Sequence, residues 1–150
     1  MTAALLPSGG ELRGRLHVLP VRVYYEDTDA AGVVYHSNYL RFCERGRTEM
    51  LRAIGIELGQ VQSEDKLVFV VHKGEIAGRR PARLDDALTV ETALTKMGRA
   101  TVSLRQVIKR GPEDIVHFTV DVACMDIASS KATPVPAHLR SKFEAFVSEV

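Results

Sequence analysis

The segment YLRFCERGRTEMLRAI, residues 39–54, decides the fold, because it has the apolar period of one long helix. Its apolar and small residues recur at the i, i+3, i+4, i+7 spacing of a helix with one buried face. They are Tyr39, Phe42, Cys43, Gly46, Met50, Ala53 and Ile54. Ser37 and Asn38 are residue types that cap a helix start, and Gly55 suits a helix end. A glycine at position 46 of the buried stripe indicates that another backbone approaches the helix closely there.

The sequence on both sides of this helix alternates between apolar and polar residues, which is typical of strands with one buried face. One strand is predicted at 19–25 and four more at 68–76, 88–94, 102–108 and 116–124. Two of the joins, at 97–99 and 111–114, have the residue types of hairpin turns. A short C-terminal helix follows, with Leu139, Phe143 and Phe146 on its apolar side. The prediction is an α+β fold, in which a five-stranded antiparallel sheet curves around one long helix.

Composition excludes several classes of protein. The formal net charge is +1 with no basic stripe, so we expect no nucleic-acid partner. The five histidines are scattered without the spacing of a metal site, and Cys43 and Cys124 fit reduced thiols of the core. The strongest apolar run, 67–71, is too short to span a membrane. We expect a cytoplasmic protein with no metal, composed of a flexible tail over 1–15 and a single domain over 16–150.

An acidic segment, Glu26 to Gly32, lies between the first strand and the long helix and carries three carboxylates. One interpretation is an acidic turn that the helix macrodipole stabilises. The other is catalytic, because the stretch that follows it is apolar and ends near a helix start, where backbone N–H groups are free. A carboxylate beside such donors can activate water or attack a carbonyl while the donors stabilise the oxyanion.

A longer stretch around this segment, YYEDTDAAGVVYHSNY at 24–39, resembles the signature of the hotdog-fold acyl-CoA thioesterases. Within them it is most similar to the group of bacterial Tol-Pal-associated and 4-hydroxybenzoyl-CoA thioesterases. The stretches FCERGRTEML at 42–51 and PARLDD at 81–86 resemble the same family. The resemblance covers about 21–136 and implies the hotdog fold.

The resemblance also implies roles for particular residues. The family's catalytic carboxylate falls on Asp29, and the backbone N–H that polarises the thioester carbonyl falls on His36. The family forms dimers or tetramers with active sites between subunits, so we expect a homo-oligomer, with a homotetramer as the larger form. Ala31 and Gly46 depart from the Gly and Ala that close relatives often carry, and a change at 46 could alter the packing of the acyl pocket.

Other candidate site residues have weaker support. The His36 side chain could act as a second acid or base, or only its backbone could matter. Tyr35 and Asn38 are candidates for substrate binding or for a structural role. Arg79, Arg80 and Arg83 could bind the phosphates of coenzyme A, and Arg80 is the one we select.

The expected function is hydrolysis of an acyl-CoA or acyl-carrier-protein thioester to acid and thiol. Asp29 would act as general base or as nucleophile, and the sequence leaves both routes open. No cofactor is expected, since coenzyme A is part of the substrate. Peripheral membrane association stays open. The alternatives are an enoyl-CoA hydratase that uses Asp29 with His36, and a non-catalytic acyl-carrier binding module of an envelope complex.

Overall fold

The computed structural model describes residues 3–78 and 80–148. Within them the strands are β1 (Glu11–Arg13), β2 (Leu16–Arg22), β3 (Leu67–Gly78), β4 (Ala87–Met97), β5 (Thr101–Arg110) and β6 (Glu113–Asp126). The helices are α1 (His36–Ala53), α2 (Leu58–Gln60) and α3 (Ala137–Phe146). A 3-10 turn at Tyr25–Asp27 follows β2, and a π turn at Val61–Asp65 continues α2.

The strands described form one antiparallel sheet in the order β1-β2-β4-β5-β6-β3. Register shifts in three of the strand pairs mark bulges, which bend a sheet and increase its twist. With α1 packed on β2, β4 and β5, this is the predicted α+β arrangement of a curved sheet around one long helix.

The predicted number of strands is wrong by one. The sixth strand, β1, pairs with β2 over three residues and lies within the segment predicted as a tail. Gly10 and Gly14, at φ +72° and +61°, allow the backbone to turn on either side of it. Residues 3–10 have no regular secondary structure, and the flexibility of the tail stays a prediction.

Helix α1 buries the predicted stripe, with two differences. Tyr39, Phe42, Cys43, Gly46 and Met50 are buried, whereas Ala53 is exposed and Ile54 is half-buried at the end of the helix. The close approach at Gly46 is confirmed, because an added Cβ would lie 2.7 Å from Val90 Cγ1 of β4. A side chain at this position would therefore push the helix away from the sheet.

The capping prediction for α1 is right at the C-terminal end of the helix and wrong at the N-terminal end. Gly55 adopts φ +89° just after the helix, as predicted for a C-terminal glycine. The predicted N-caps are wrong: the helix begins at His36, its N-cap position is Tyr35, and no side chain caps it. Ser37 and Asn38 lie inside the first turn. The backbone amides at this end of the helix therefore stay available to another acceptor.

A buried polar cluster lies where α1 crosses the sheet. The Gln106 side-chain amide, fully buried on β5, donates to the Cys43 carbonyl at 2.8 Å and to Thr92 Oγ1 at 2.9 Å. The Arg47 guanidinium donates to Gln106 Oε1 at 3.0 Å. Buried hydrogen bonds of this kind have strict geometry, so they fix the position of α1 along the strands.

Candidate active site

The acidic segment folds back on itself around Asp29. The Asp29 N–H donates to the Val33 carbonyl at 2.9 Å, and the Gly32 N–H donates to the Asp29 carbonyl at 3.0 Å. Thr28 and Val34 form an antiparallel bridge at the base of this turn. Gly32 has φ +77°, a conformation that glycine adopts without strain. The turn places Asp29 at its edge, with its side chain half-buried.

The three carboxylates of the segment have different environments. Asp27 is buried, and its Oδ2 accepts a hydrogen bond from the Tyr24 N–H at 2.8 Å. Asp29 Oδ1 accepts from the N–H groups of Ala31 and Val33 at 2.9 and 3.2 Å. Among the described residues no donor contacts Asp29 Oδ2, and none contacts the exposed Glu26 carboxylate. Asp29 is thus held by one oxygen and available through the other.

The start of α1 offers hydrogen-bond donors near this turn in the chain. The Tyr35 N–H donates to the Asp27 carbonyl and the Asn38 N–H donates to the Tyr35 carbonyl. In the described part of the chain, the N–H groups of His36 and Ser37 contact no acceptor. The first turn also contains no acidic side chain. Such amides, at the positive end of the helix dipole, suit an oxyanion or a polarised carbonyl.

The other side chains predicted at the site belong to the N-cap position and the first turn of α1, except for the arginines described below. The exposed His36 ring lies edge-on to the Tyr39 ring, with centroids 6.3 Å apart, and Tyr35 is 51% exposed. Asn38 is buried and its side-chain amide donates to the Asp27 carbonyl at 3.1 Å. Asn38 therefore has a structural contact, and substrate contacts by Tyr35 and Asn38 stay predictions.

Sequence reasoning missed how the segment 81–86 contacts the turn. The Val34 N–H donates to the Ala82 carbonyl at 2.9 Å, and the Leu84 N–H donates to the Gly32 carbonyl at 3.0 Å. The buried Ala82 N–H donates to the hydroxyl of Tyr39 on α1 at 2.9 Å. The turn around Asp29 and the first helical turn are thereby joined to one segment. The only signal in the sequence was the resemblance of the segment 81–86 to the family, and that resemblance does not indicate which residues the segment contacts.

The arginines predicted to bind phosphate do not share one environment. Arg80 is exposed and forms an ion pair with Glu113 at the start of β6. The exposed Arg83 lies in the segment 81–86, where its backbone N–H donates to Asp86 Oδ2 at 2.8 Å. Arg79 lies outside the described residues. A role for Arg80 in binding phosphate stays a prediction, and it would require the Glu113 ion pair to open or to share its arginine.

An apolar cavity of about 290 Å³ lies between the second half of α1 and the sheet. Apolar side chains from helices and strands line most of it, among them Met50, Leu51, Phe69, Leu104 and Phe143. Arg47, Glu44 and Thr48 of α1 add polar groups to its wall. An engineered apolar cavity of about 150 Å³ can hold benzene, so this space is large enough for a small acyl group.

The remaining titratable candidates do not form a site. Within the described residues there is no cluster of His, Cys, Asp and Glu that could hold a metal ion. Cys43 and Cys124 are buried and unpaired by a disulfide. Burial raises the pKa of the Cys43 thiol to about 12, although the nearby Arg47 charge lowers it in part. Helices long and apolar enough to cross a membrane are also missing from the described part of the chain.

Comparisons with known proteins show which family the chain resembles. Residues 23–143 match the model of the thioesterase-like superfamily. The acyl-CoA thioesterase YbgC of Haemophilus influenzae is 43% identical over 124 residues, which are 83% of this chain and 91% of that protein. The acyl-CoA thioester hydrolase YbgC of Escherichia coli O6:H1 is 40% identical over 126 residues, 83% of this chain and 93% of its own.

A solved structure gives the same answer for the fold. The crystal structure of a probable thioesterase from Bartonella henselae superposes with a TM-score of 0.77 at 37% identity, covering 81% of this chain and 99% of that one. The resemblance that the sequence predicted is therefore confirmed, together with the hotdog fold. On its matched family model and its relatives, the chain belongs to the thioesterase-like superfamily.

Proposed function

We propose that this protein hydrolyses an acyl-CoA thioester to the free acid and coenzyme A, with Asp29 as the reacting carboxylate. The observation that carries the proposal is the state of Asp29, whose Oδ1 is held by two backbone amides while Oδ2 is available. The relatives that bear the names acyl-CoA thioesterase and acyl-CoA thioester hydrolase support the choice of substrate. An acyl-carrier-protein thioester, which has the same reacting group, is the second substrate to test.

In the general-base route, Asp29 Oδ2 takes a proton from water as the water oxygen attacks the thioester carbonyl carbon. The His36 N–H donates to the carbonyl oxygen as negative charge develops on it. The carbon–sulfur bond then breaks, and the thiolate of coenzyme A leaves and takes up a proton. In the nucleophilic route Asp29 attacks the carbonyl carbon itself and expels the thiolate of coenzyme A, which takes up a proton. Water then cleaves the resulting mixed anhydride to the free acid and the Asp29 carboxylate. Each oxyanion donor is worth about 3–4 kcal/mol of the barrier.

The parts of the substrate around the thioester are matched to nearby side chains by their chemistry. Tyr35 and Asn38 flank the reacting group from the start of α1, and the His36 side chain is a further candidate for proton transfer. Arg80 contributes a guanidinium that suits a phosphate oxygen of coenzyme A. The reaction needs no metal and no cofactor besides the coenzyme A of the substrate. The apolar cavity beside α1 is the candidate space for the acyl group, and it would have to be reached from the start of α1, because none of its lining residues belongs to the turn around Asp29 or to the first helical turn.

We also propose a homo-oligomer, a dimer or tetramer, with active sites between subunits. The support is β3, a 12-residue edge strand whose Val70 and Val71 are 37% and 53% exposed. A long edge strand with exposed valines is a surface that can pair with another strand, although the same strand also carries the exposed polar and charged residues His72, Lys73 and Glu75. A cytoplasmic location, association with the Tol-Pal system and peripheral contact with a membrane complete this proposal, and they rest on the family resemblance.

The test is hydrolysis by the purified protein and an Asp29→Ala variant, with a panel of acyl-CoA and acyl-carrier thioesters. Free thiol and enoyl absorbance are followed together. We expect thiol release by the wild type and its loss in the variant. Loss of enoyl absorbance without thiol release would indicate a hydratase, and tight binding with neither signal would indicate a binding module. Equal thiol release by the variant would remove Asp29 from its role.

A further inference from the structure

Arg110, the last residue of β5, contacts both ends of the segment 81–86. Its Nη1 donates to Asp86 Oδ2 at 2.7 Å and to the Pro81 carbonyl at 3.2 Å. Its Nε and Nη2 donate to Glu113 Oε1 at 3.1 and 3.0 Å. One guanidinium therefore joins the first and last residues of this segment to the β5–β6 hairpin. Its planar, fixed set of donors is what allows one side chain to make all these contacts.

Asp86 continues the connection inside the segment. Its Oδ2 also accepts the Arg83 N–H at 2.8 Å, and its own N–H donates to the Arg83 carbonyl at 3.1 Å. These bonds close a turn over 83–86 in which Asp85 adopts φ +71°. A non-glycine residue in this conformation costs free energy, so the turn depends on the bonds around it. Arg110 is thus bonded to the carboxylate that closes the turn.

The segment 81–86 is in turn bonded to the residues that hold Asp29. Ala82 and Leu84 bond to Val34 and Gly32, which are the neighbours of Val33. The Val33 N–H is one of the two amides that hold Asp29 Oδ1. The route from Arg110 through Asp86 to the reacting carboxylate therefore contains four hydrogen bonds, and the route through the Pro81 carbonyl contains three. In both routes, peptide links between adjacent residues join one hydrogen bond to the next.

We propose that Arg110 is a positioning residue for the hydrolysis, which acts through Asp86 and the segment 81–86 to fix the turn that holds Asp29. The proposal rests on the proposed function, because it assigns Arg110 to that reaction. Arg110 does not contact Asp29 or the free amides of α1. Its contribution is to the geometry of the reacting carboxylate, and a misplacement of about 1 Å can cost a hundredfold in rate.

The protonation states keep this connection intact near neutral pH. Burial by itself would raise the pKa of the Asp86 carboxyl. The hydrogen bonds from the Arg83 N–H and the Arg110 guanidinium lower it by more, so the net pKa lies below the ordinary 3.8. The stability that Asp86 contributes is therefore present above 3.8 and is lost as the pH falls through the lower folded value. The hydrogen bonds that Arg110 donates to Asp86 and Glu113 raise its own pKa.

The test compares Arg110→Met, Arg110→Lys, Asp86→Asn and the double variant Arg110→Met/Asp86→Asn with the wild type. Arg105→Met is the matched control, since Arg105 is an exposed arginine on the same strand. Thiol release is measured against substrate concentration at a temperature where circular dichroism shows every variant folded. Amide hydrogen exchange at Val34 and Leu84 is measured on the same samples.

We expect Arg110→Met to lower kcat by about tenfold to a hundredfold, with a much smaller change in KM. Arg110→Lys should fall between, because one ammonium cannot reach Pro81, Asp86 and Glu113 together. The double variant should be no slower than the worse single variant, since both changes break one connection. Exchange at Val34 and Leu84 should be faster in the Arg110→Met protein, and Arg105→Met should match the wild type in every measurement.

Three results would overturn the assignment. An unchanged kcat in folded Arg110→Met would show that Arg110 does not position the reacting carboxylate. If Asp29→Ala were inactive in the same assay, the proposed function would still hold without the role of Arg110. A raised KM with unchanged kcat would make Arg110 a direct phosphate contact instead. If the wild type released thiol from no thioester, the proposed function would fail first, and the role of Arg110 would fail with it.

Discussion

Asp27 and Asp29 are two residues apart, and the fold gives them opposite environments. The carboxylate of Asp27 is buried against the Tyr24 amide and the Asn38 side chain, and Asp29 keeps one oxygen available. The sequence pattern alone indicated three equivalent carboxylates, and the family resemblance selected Asp29. The structure supplies a physical reason for that selection. Asp27 is buried and both of its carboxylate oxygens accept hydrogen bonds, whereas Asp29 is half-buried and no described donor contacts its Oδ2.

Replacing Asp27 should therefore affect stability. Asp27→Ala leaves the Tyr24 N–H and one Asn38 donor without their acceptor, so we expect unfolding to become easier by about 1–3 kcal/mol. Urea denaturation measures this. Glu26→Ala, at the exposed neighbour, is the control and should change stability by less than about 0.5 kcal/mol. Equal effects of the two changes would contradict the structural role of Asp27.

The two cysteines should be inert in the folded protein. Burial raises the pKa of both thiols, that of Cys43 to about 12, and neither side chain is exposed to solvent, so both are poor nucleophiles in the folded protein. We expect a disulfide reagent that reports free thiols to label neither residue in native protein and both after denaturation. Rapid labelling of the native protein would show that one of these sites opens. The same result matters in practice, because thiol release is the assay for activity.

At the scale of elements, the sequence predicts most of what regular patterns can encode. The period of α1, the alternation in β4, β5 and β6 and the apolar face of α3 are confirmed. Strand β1 was missed because three exposed residues between two glycines carry no pattern. The predicted N-cap of α1 was wrong because the backbone carbonyls of Asp27 and Tyr35 accept the hydrogen bonds at the helix start. Backbone contacts of this kind cannot be predicted from the residue types nearby.

The crossing of α1 over β4 should show strong coupling between Gly46 and Val90. An added methyl at 46 would meet Val90 Cγ1 at 2.7 Å, so Gly46→Ala should overpack the crossing by about 1–3 kcal/mol. Part of that cost is offset by the better helix propensity of alanine, about 1 kcal/mol. In a Val90→Ala background the shortest contact is removed, while Gln106 Nε2 and Thr92 Oγ1 stay 3.1 Å from the added methyl. The same change should therefore become more favourable by about 1–3 kcal/mol, without becoming free of strain. Urea denaturation of all four proteins gives this coupling, and additive effects would contradict the packing.

At the scale of the whole molecule, the sheet has two unequal edges. The β1 edge is three residues long, and the β3 edge is twelve residues long and mostly exposed. The sequence predicted β3 only weakly, because a strand that is largely exposed along its length loses the usual alternation. The order of strands, and hence which strand lies at the edge, depends on pairings between distant residues that local patterns do not encode.

The proposed assembly predicts that a charge on the β3 edge dissociates the protein. Val71→Lys adds a second ammonium to this edge, beside that of Lys73, at a position where an exposed valine now lies. Charged side chains on an edge strand are one way in which natural proteins avoid pairing. We expect a lower mass by light scattering, which is the deciding measurement because Val71 also lines the cavity proposed for the acyl group, so that a loss of activity would have two causes. Leu12→Lys, an exposed residue on the opposite edge strand, is the matched control and should keep both the mass and the activity. An unchanged mass for Val71→Lys would move the interface elsewhere.

The central claim is that Asp29, and no neighbouring carboxylate, reacts with the thioester. Its most direct test is the rate of thiol release at saturating acyl-CoA by Asp29→Asn beside Glu26→Gln, with both proteins shown to be folded. We predict that kcat falls by about 10²–10⁴ in Asp29→Asn, as for loss of a general base, and is unchanged in Glu26→Gln. A folded Asp29→Asn protein that releases thiol at the wild-type rate would contradict the account.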